Sequence, residues 1–270
     1  MKITRKIIDL EKCGSIYIPK FKYDLQLFAE TEGLFLADAE PAGGVGDFDG
    51  TSTEGDMSIA GIEAAQCHGS YGYKITYDGT NDLAYGYFTL SDLTELWVRM
   101  YVYLPSSLTP GGTWKQLYLI QLYDGASYAI RMGIQSNATP AYYTWVSQVS
   151  GQGLGQSATN FSLDAWHYIE VHWISDGEVG GASVKVDGSG LIITDEDQDT
   201  SGFAIDSARF GSTLNTAVTP ANDYFYMDDI KGSSVDWVGP YSEAGGGRIS
   251  RYHDLSGLGG HGQSTFNPLG

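Results

Sequence analysis

Cysteine is almost absent from this chain of 270 residues, which has only Cys13 and Cys67. Two are too few for a disulfide framework and lack ligand-like spacing, so they read as free thiols of a protein assembled in a reducing cytoplasm. Long apolar runs are missing as well. No stretch approaches the ~20 apolar residues that a membrane-spanning helix needs, and no membrane partner is expected. Residues 1–12 alternate charge with Ile and Leu and hold no continuous apolar run, which argues against a cleaved signal peptide. Positive charge is scarce: 15 Lys and Arg face 33 Asp and Glu, for a net charge of −18. A chain of that balance repels phosphate, which excludes sequence-independent binding of nucleic acid.

Glycine and aromatic side chains are plentiful, with 36 Gly and 19 Tyr. That much Gly disfavours a helix bundle, and the lack of a G-X-Y period excludes collagen. Tyr favours half-buried strands, and a hydrophobic share of 42% is enough for a core. Between residues 71 and 231, short alternating runs follow one another. The clearest, residues 95–104, places Leu96, Val98, Met100, Val102 and Leu104 on one face and Trp97, Arg99, Tyr101 and Tyr103 on the other. A period of two over that length reads as strand, not helix. Residues 166–174 repeat it, with Ile169, Val171 and Trp173 opposite Tyr168, Glu170 and His172. Asp78-Gly79, Asp124-Gly125 and Asp187-Gly188 are hairpin-type turns. Strands at this spacing, without helical periods between them, predict an all-β antiparallel sandwich or jelly roll. Residues 150–160 read as a polar loop, and Asp195-Glu196-Asp197-Gln198-Asp199 as a solvated turn.

The two ends differ from this body. Residues 1–30 carry six Lys and Arg against four Asp and Glu, and residues 238–270 are neutral, so the acidic excess lies between them. The last segment is rich in Gly and poor in large apolar side chains, and would order only against a partner. Three parts are therefore expected: an N-terminal arm at 1–32, a jelly-roll domain at 33–240 and a Gly-rich C-terminal arm at 241–270. Partner-binding anchors in the arms are Leu25, Leu27, Phe28, Arg248, Arg251, Tyr252, Phe266 and Leu269.

The body resembles a LamG-like (concanavalin A-like) jelly-roll domain of the kind common in bacteriophage structural proteins. The residues carrying the resemblance are Gly69-Ser70-Tyr71-Gly72-Tyr73, the strand from Leu96 to Pro105, the strand from Trp166 to Val171, Val184-Lys185-Val186-Asp187-Gly188, and Phe225-Tyr226-Met227-Asp228-Asp229-Ile230 followed by Val238-Gly239-Pro240. Lys22-Tyr23-Asp24-Leu25-Gln26-Leu27-Phe28-Ala29-Glu30 is similar to the opening of capsid and head-associated proteins of phages infecting Gram-positive bacteria. Together these imply a non-enzymatic virion protein, a capsid decoration or head-fibre component assembled in the host cytoplasm. Its partners would be the major capsid protein or other virion subunits, and the subunit would be a homo-oligomer. The alternative is a carbohydrate-binding adhesin module that attaches the virion to host-surface glycans.

Catalytic motifs are sparse. Jelly-roll glycosidases that use paired carboxylates carry E-x-D-x-x-E on one strand; the nearest approach is Glu54-Gly55-Asp56, with Ile at position 59. A polysaccharide lyase needs a Tyr or His base beside a cationic or amide group. Gln116, Gln121, Arg99, Tyr168 and His172 are of the right types, but the Gln-x-His and Tyr-x-Lys-x-Gly strand patterns do not occur. No enzyme is therefore expected. LamG-like domains often bind Ca²⁺, which makes Asp228 and Asp229 the candidate metal ligands, although neighbours on a strand point to opposite faces and only one could serve a given site. Trp97, Tyr101, Tyr103 and Tyr142 are candidates for stacking on sugars.

Overall fold

The structure, a computed structural model, describes residues 10–13, 16–19, 33–40, 44–80, 82–108, 114–136, 143–150, 154–160, 162–189, 193–215 and 220–241. Strands β1 (Leu10–Cys13) and β2 (Ile16–Pro19) form an antiparallel two-stranded sheet of their own within the expected N-terminal arm. The chain divides after Pro240, and of the segment Tyr241–Gly270 only Tyr241 is described. The arm anchors Leu25, Leu27, Phe28, Arg248, Arg251, Tyr252, Phe266 and Leu269 lie outside the described residues.

The body is an antiparallel jelly-roll β-sandwich. Its remaining strands are β3 (Phe35–Ala37), β4 (Gly50–Thr53), β5 (Ser58–Ile62), β6 (Gly72–Thr76), β7 (Ala84–Leu93), β8 (Glu95–Tyr103), β9 (Gln116–Asp124) and β10 (Ser127–Ser136). They continue with β11 (Tyr143–Val149), β12 (Leu154–Asn160), β13 (Trp166–Ile174), β14 (Gly180–Val186), β15 (Ile193–Gln198), β16 (Ile205–Asn215) and β17 (Tyr224–Ser233). One sheet has seven strands in the order β12-β11-β10-β9-β16-β7-β4. The other has eight: β15-β14-β13-β8-β17-β6-β5, with β3 also paired to β17.

The core lies between the sheets and follows the alternation. Leu96, Val98, Met100, Val102 and Leu104 are fully buried, as are Ile169, Val171 and Trp173. Ile120, Leu122, Ile130, Met132 and Phe210 meet them from the seven-stranded sheet. Phe35 stacks on Phe88 with ring centroids 4.2 Å apart. Phe48 lies flat against Gly86, where an added Cβ would come within 2.5 Å of its ring.

Two expectations are corrected. Residues 154–160, read as loop, form β12, and residues 193–198, read in part as a turn, form β15. Both are edge strands, so backbone pairing defines them and little apolar patterning is required of their side chains.

Candidate functional site

On β9 the alternation breaks in a way that creates a site. Met132 pairs with Ile120 but Gly133 pairs with Tyr118, so Leu119 is an extra residue, a β-bulge. Leu119 and Ile120 both enter the core. Tyr118 and Gln121 consequently both stand on the outer face of the seven-stranded sheet, three residues apart. Strand register then lines up Gln148 (β11), Arg131 (β10), Gln121 (β9), Arg209 (β16) and Tyr87 (β7) as one row across five adjacent strands.

Each guanidinium in this row lies between two tyrosine rings. Arg131 is 3.9 Å from the Tyr128 ring and 4.8 Å from that of Tyr118, while its Nε donates to Gln148 Oε1 at 3.0 Å. Arg209 is 3.6 Å from the Tyr123 ring and 5.3 Å from that of Tyr85. Among the described residues neither forms an ion pair. The three arginines of residues 33–240 are Arg99, Arg131 and Arg209, and the third, Arg99, is locked to Asp229 at 2.7 Å.

Gln121, between the two arginines, is 1% exposed, and its Oε1 has no hydrogen-bond partner among the described residues. The Tyr118 hydroxyl lies 3.1 Å from Gln116 Oε1 and 3.4 Å from Gln148 Oε1, and burial pushes its pKa up to about 12, so this phenol is a donor at neutral pH. Tyr118, Gln121, Thr144 and Val146 are buried although they face outward. Arg131, Arg209, Tyr85, Tyr87, Tyr123, Tyr128 and Gln148 rise half-buried around that floor. Beside Arg209 a cleft of about 280 Å³ opens, lined by Tyr85, Tyr87, Thr89, Asp206 and Ser207.

The structure divides the lyase-type residues singled out in the sequence between two opposite faces. Gln116 and Gln121 belong to the site just described, whereas Arg99, Tyr168 and His172 lie on the outer face of the eight-stranded sheet. There Arg99 Nη1 donates to Gly239 O at 2.7 Å and Glu170 Oε1 accepts from Gly239 N at 2.7 Å, so the chain after β17 folds over this face as a strap. His172 stacks on Trp97 at 4.3 Å and meets Trp237 edge-on at 5.7 Å.

Of the proposed sugar-stacking set, Trp97, Tyr101 and Tyr103 share the outer face of β8, but two of them are covered. Trp97 is buried under His172, and Tyr101 is buried with His68 edge-on to its ring. Tyr103 is half-buried further along the sheet, and Tyr142 lies outside the described residues. Arg131 and Arg209 were missed in the sequence because isolated arginines carry no signal until register aligns them.

Asp228 and Asp229 depart from the expected opposite orientations. A register shift follows Asp228, and Asp229 takes a left-handed backbone conformation (φ 48°), which turns both carboxylates to one side. Asp228 Oδ2 accepts from Cys67 N at 2.7 Å and His68 N at 2.9 Å, while Asp229 holds Arg99. Among the described residues no group of three or more His, Cys, Asp or Glu is arranged to hold a metal ion. Burial and the two neighbouring carboxylates push the Cys67 thiol up to about 12, which leaves it unreactive at neutral pH.

No protein-family model and no curated protein matches the chain. Among solved structures, it is similar to the endo-β-1,4-glucuronan lyase of the fungus Trichoderma reesei, with 14% identity, 75% of this chain and 95% of that one covered, and a TM-score of 0.53. It is similar to the cellulose-induced protein Cip1 with 15% identity, 77% of this chain and 100% of that one covered, and a TM-score of 0.53. Likeness at this identity shows the fold alone, a jelly-roll β-sandwich. The expectation that the chain is not an enzyme is overturned, because a polysaccharide lyase shares the fold across three-quarters of it. That expectation rested on motifs within single strands, whereas a site on a sheet is assembled across strands.

Proposed function

We propose that the outer face of the seven-stranded sheet binds an acidic polysaccharide, with uronic-acid residues seated over Gln121. The observation that carries this reading is the buried amide oxygen of Gln121, which has no partner among the described residues, between two guanidinium groups that have no carboxylate partner among them. An acceptor without a donor suits a sugar hydroxyl, and two planar cations suit a carboxylate; a uronic acid offers both. The flanking Tyr rings supply faces for the pyranose. Neutralising the carboxylate is also what elimination chemistry at a uronate first requires, so the reading extends to cleavage. If the chain is a virion protein, as the resemblance of residues 22–30 to phage head proteins implies, the ligand would be a host-surface glycan.

The test is titration calorimetry of the full chain with polyglucuronate and with a neutral glucan of equal length, alongside ultraviolet detection of unsaturated uronates. Tighter binding of the polyuronate is expected, with at least a tenfold loss in R131A/R209A. Equal affinity for the two polymers, or an unchanged double variant, would reject the acidic-glycan assignment.

A further inference from the structure

The outer face of the eight-stranded sheet carries a second aromatic feature, away from the strap and from the arginine row. Trp166 (β13) is opposite Tyr103 (β8), and Tyr103 is opposite Tyr226 (β17). Their ring centroids are separated by 5.7 and 5.8 Å, and Tyr224 continues the series 5.0 Å from Tyr226. Lys74, opposite Tyr226 on β6, holds its ammonium 4.3 Å from the centre of the Tyr224 ring. All four rings are half-buried. The aromatic residues nearer the strap, Trp97 and Tyr101, are by contrast covered.

We infer that Trp166, Tyr103, Tyr226 and Tyr224 form a second glycan-binding platform, one that takes an extended, uncharged hexose chain. The spacing of Trp166, Tyr103 and Tyr226 follows the distance between strands, while Tyr224 lies two residues from Tyr226 on β17; each step is close to the advance per residue of such a chain, so consecutive sugars can each meet a ring. Aromatic faces stack on the C–H faces of pyranoses, and the phenol hydroxyls supply hydrogen bonds along the edge. Charge decides the class of sugar. The one cation of the row, Lys74, is held over Tyr224, and the Asp164 carboxylate stands 3.5 Å from the Tyr103 hydroxyl at the other end. With the acidic excess of the whole body behind it, this row disfavours uronates, the reverse of the arginine row. The platform is independent of the acidic-glycan site.

The test is titration of the full chain with cellohexaose and with laminarihexaose, read by Trp fluorescence and calorimetry. At least one hexasaccharide is expected to bind, with at least a tenfold loss in Y103A/Y226A, a smaller loss in Y103F/Y226F, which keeps the rings and removes only the hydroxyls, and no change in R131A/R209A. Melting curves of the Ala and Phe variants separate lost binding from lost folding. Absence of binding by both sugars, or unchanged affinity in Y103A/Y226A, overturns the platform. So does a dimer that sediments in the parent and dissociates in Y103A/Y226A, which would assign the rings to self-association. Failure of polyglucuronate binding leaves this result unaffected, because the two sites are read by different variants.

Discussion

Gln121 shows how much a single side chain can cost and what it can return. A buried amide oxygen without a donor destabilises the folded state by about 1–3 kcal/mol, and its neighbours Arg131 and Arg209 stack on Tyr rings with no carboxylate partner among the described residues. Gln121→Met keeps the side chain's volume and removes the orphaned acceptor. Denaturant melts should therefore show the variant more stable by about 1 kcal/mol, while calorimetry shows weaker polyglucuronate binding. A less stable variant would mean that the amide is satisfied in the folded protein. Gln121 was visible in the sequence as a candidate of the right chemical type, but nothing there separated it from Arg99 or His172, which the fold sends to the opposite face.

At the scale of elements, the bulge at Leu119 decides the site. A regular β9 would alternate without a break and could not keep both Tyr118 and Gln121 outward. Gly133 on β10 permits the close approach: a Cβ there would lie 2.1 Å from Leu117 O and 2.6 Å from Tyr118 Cα, both backbone atoms of β9. Gly133→Ala should lower stability by about 3 kcal/mol, at the upper end of ordinary overpacking, and weaken polyuronate binding with it. A melt indistinguishable from the parent's would show that β9 and β10 have room to part. The second irregularity, at Asp228 and Asp229, was likewise beyond reach of a period-of-two reading, since a bulge is a property of two paired strands. Edge strands β12 and β15 escaped for a related reason: their polar runs look like loop until a neighbour supplies hydrogen bonds.

For the whole molecule, two buried groups set the pH response. Burial raises Asp228 to about 7, although the Cys67 and His68 amides that donate to it oppose the rise. Its folded pKa exceeds the unfolded value near ~3.9, so its contribution is full below about pH 4 and is lost as pH rises through 7. The hydrogen bond that His167 Nδ1 donates to the Asp187 carboxylate raises the pKa of His167, whose contribution is full below about pH 6.5 and is lost as pH rises through the raised folded value. The net charge of −18 adds self-repulsion in the same direction as carboxylates ionise. Asp78, Asp164 and Asp176 act oppositely: hydrogen bonds lower their pKa values, and what they contribute is lost only as pH falls through the carboxylate range. The melting temperature at constant ionic strength should therefore be higher at pH 5 than at pH 8, with Asp228→Asn flattening the fall below pH 7. A melting temperature that climbs from pH 5 to pH 8 would contradict this assignment.

Alternation alone determined the sandwich, because one buried face imposes a period of two: β8 and β13 place their apolar residues in the core where the sequence puts them. Which side chains share a surface was decided only in three dimensions. Arg131, Gln121 and Arg209 lie on three strands and are separated by up to 88 positions in the chain, yet register sets them side by side. Arg99, Tyr168 and His172, which looked equally suited, lie on the other face, because a side chain's face depends on its strand's sheet and on every bulge in that strand's pairing.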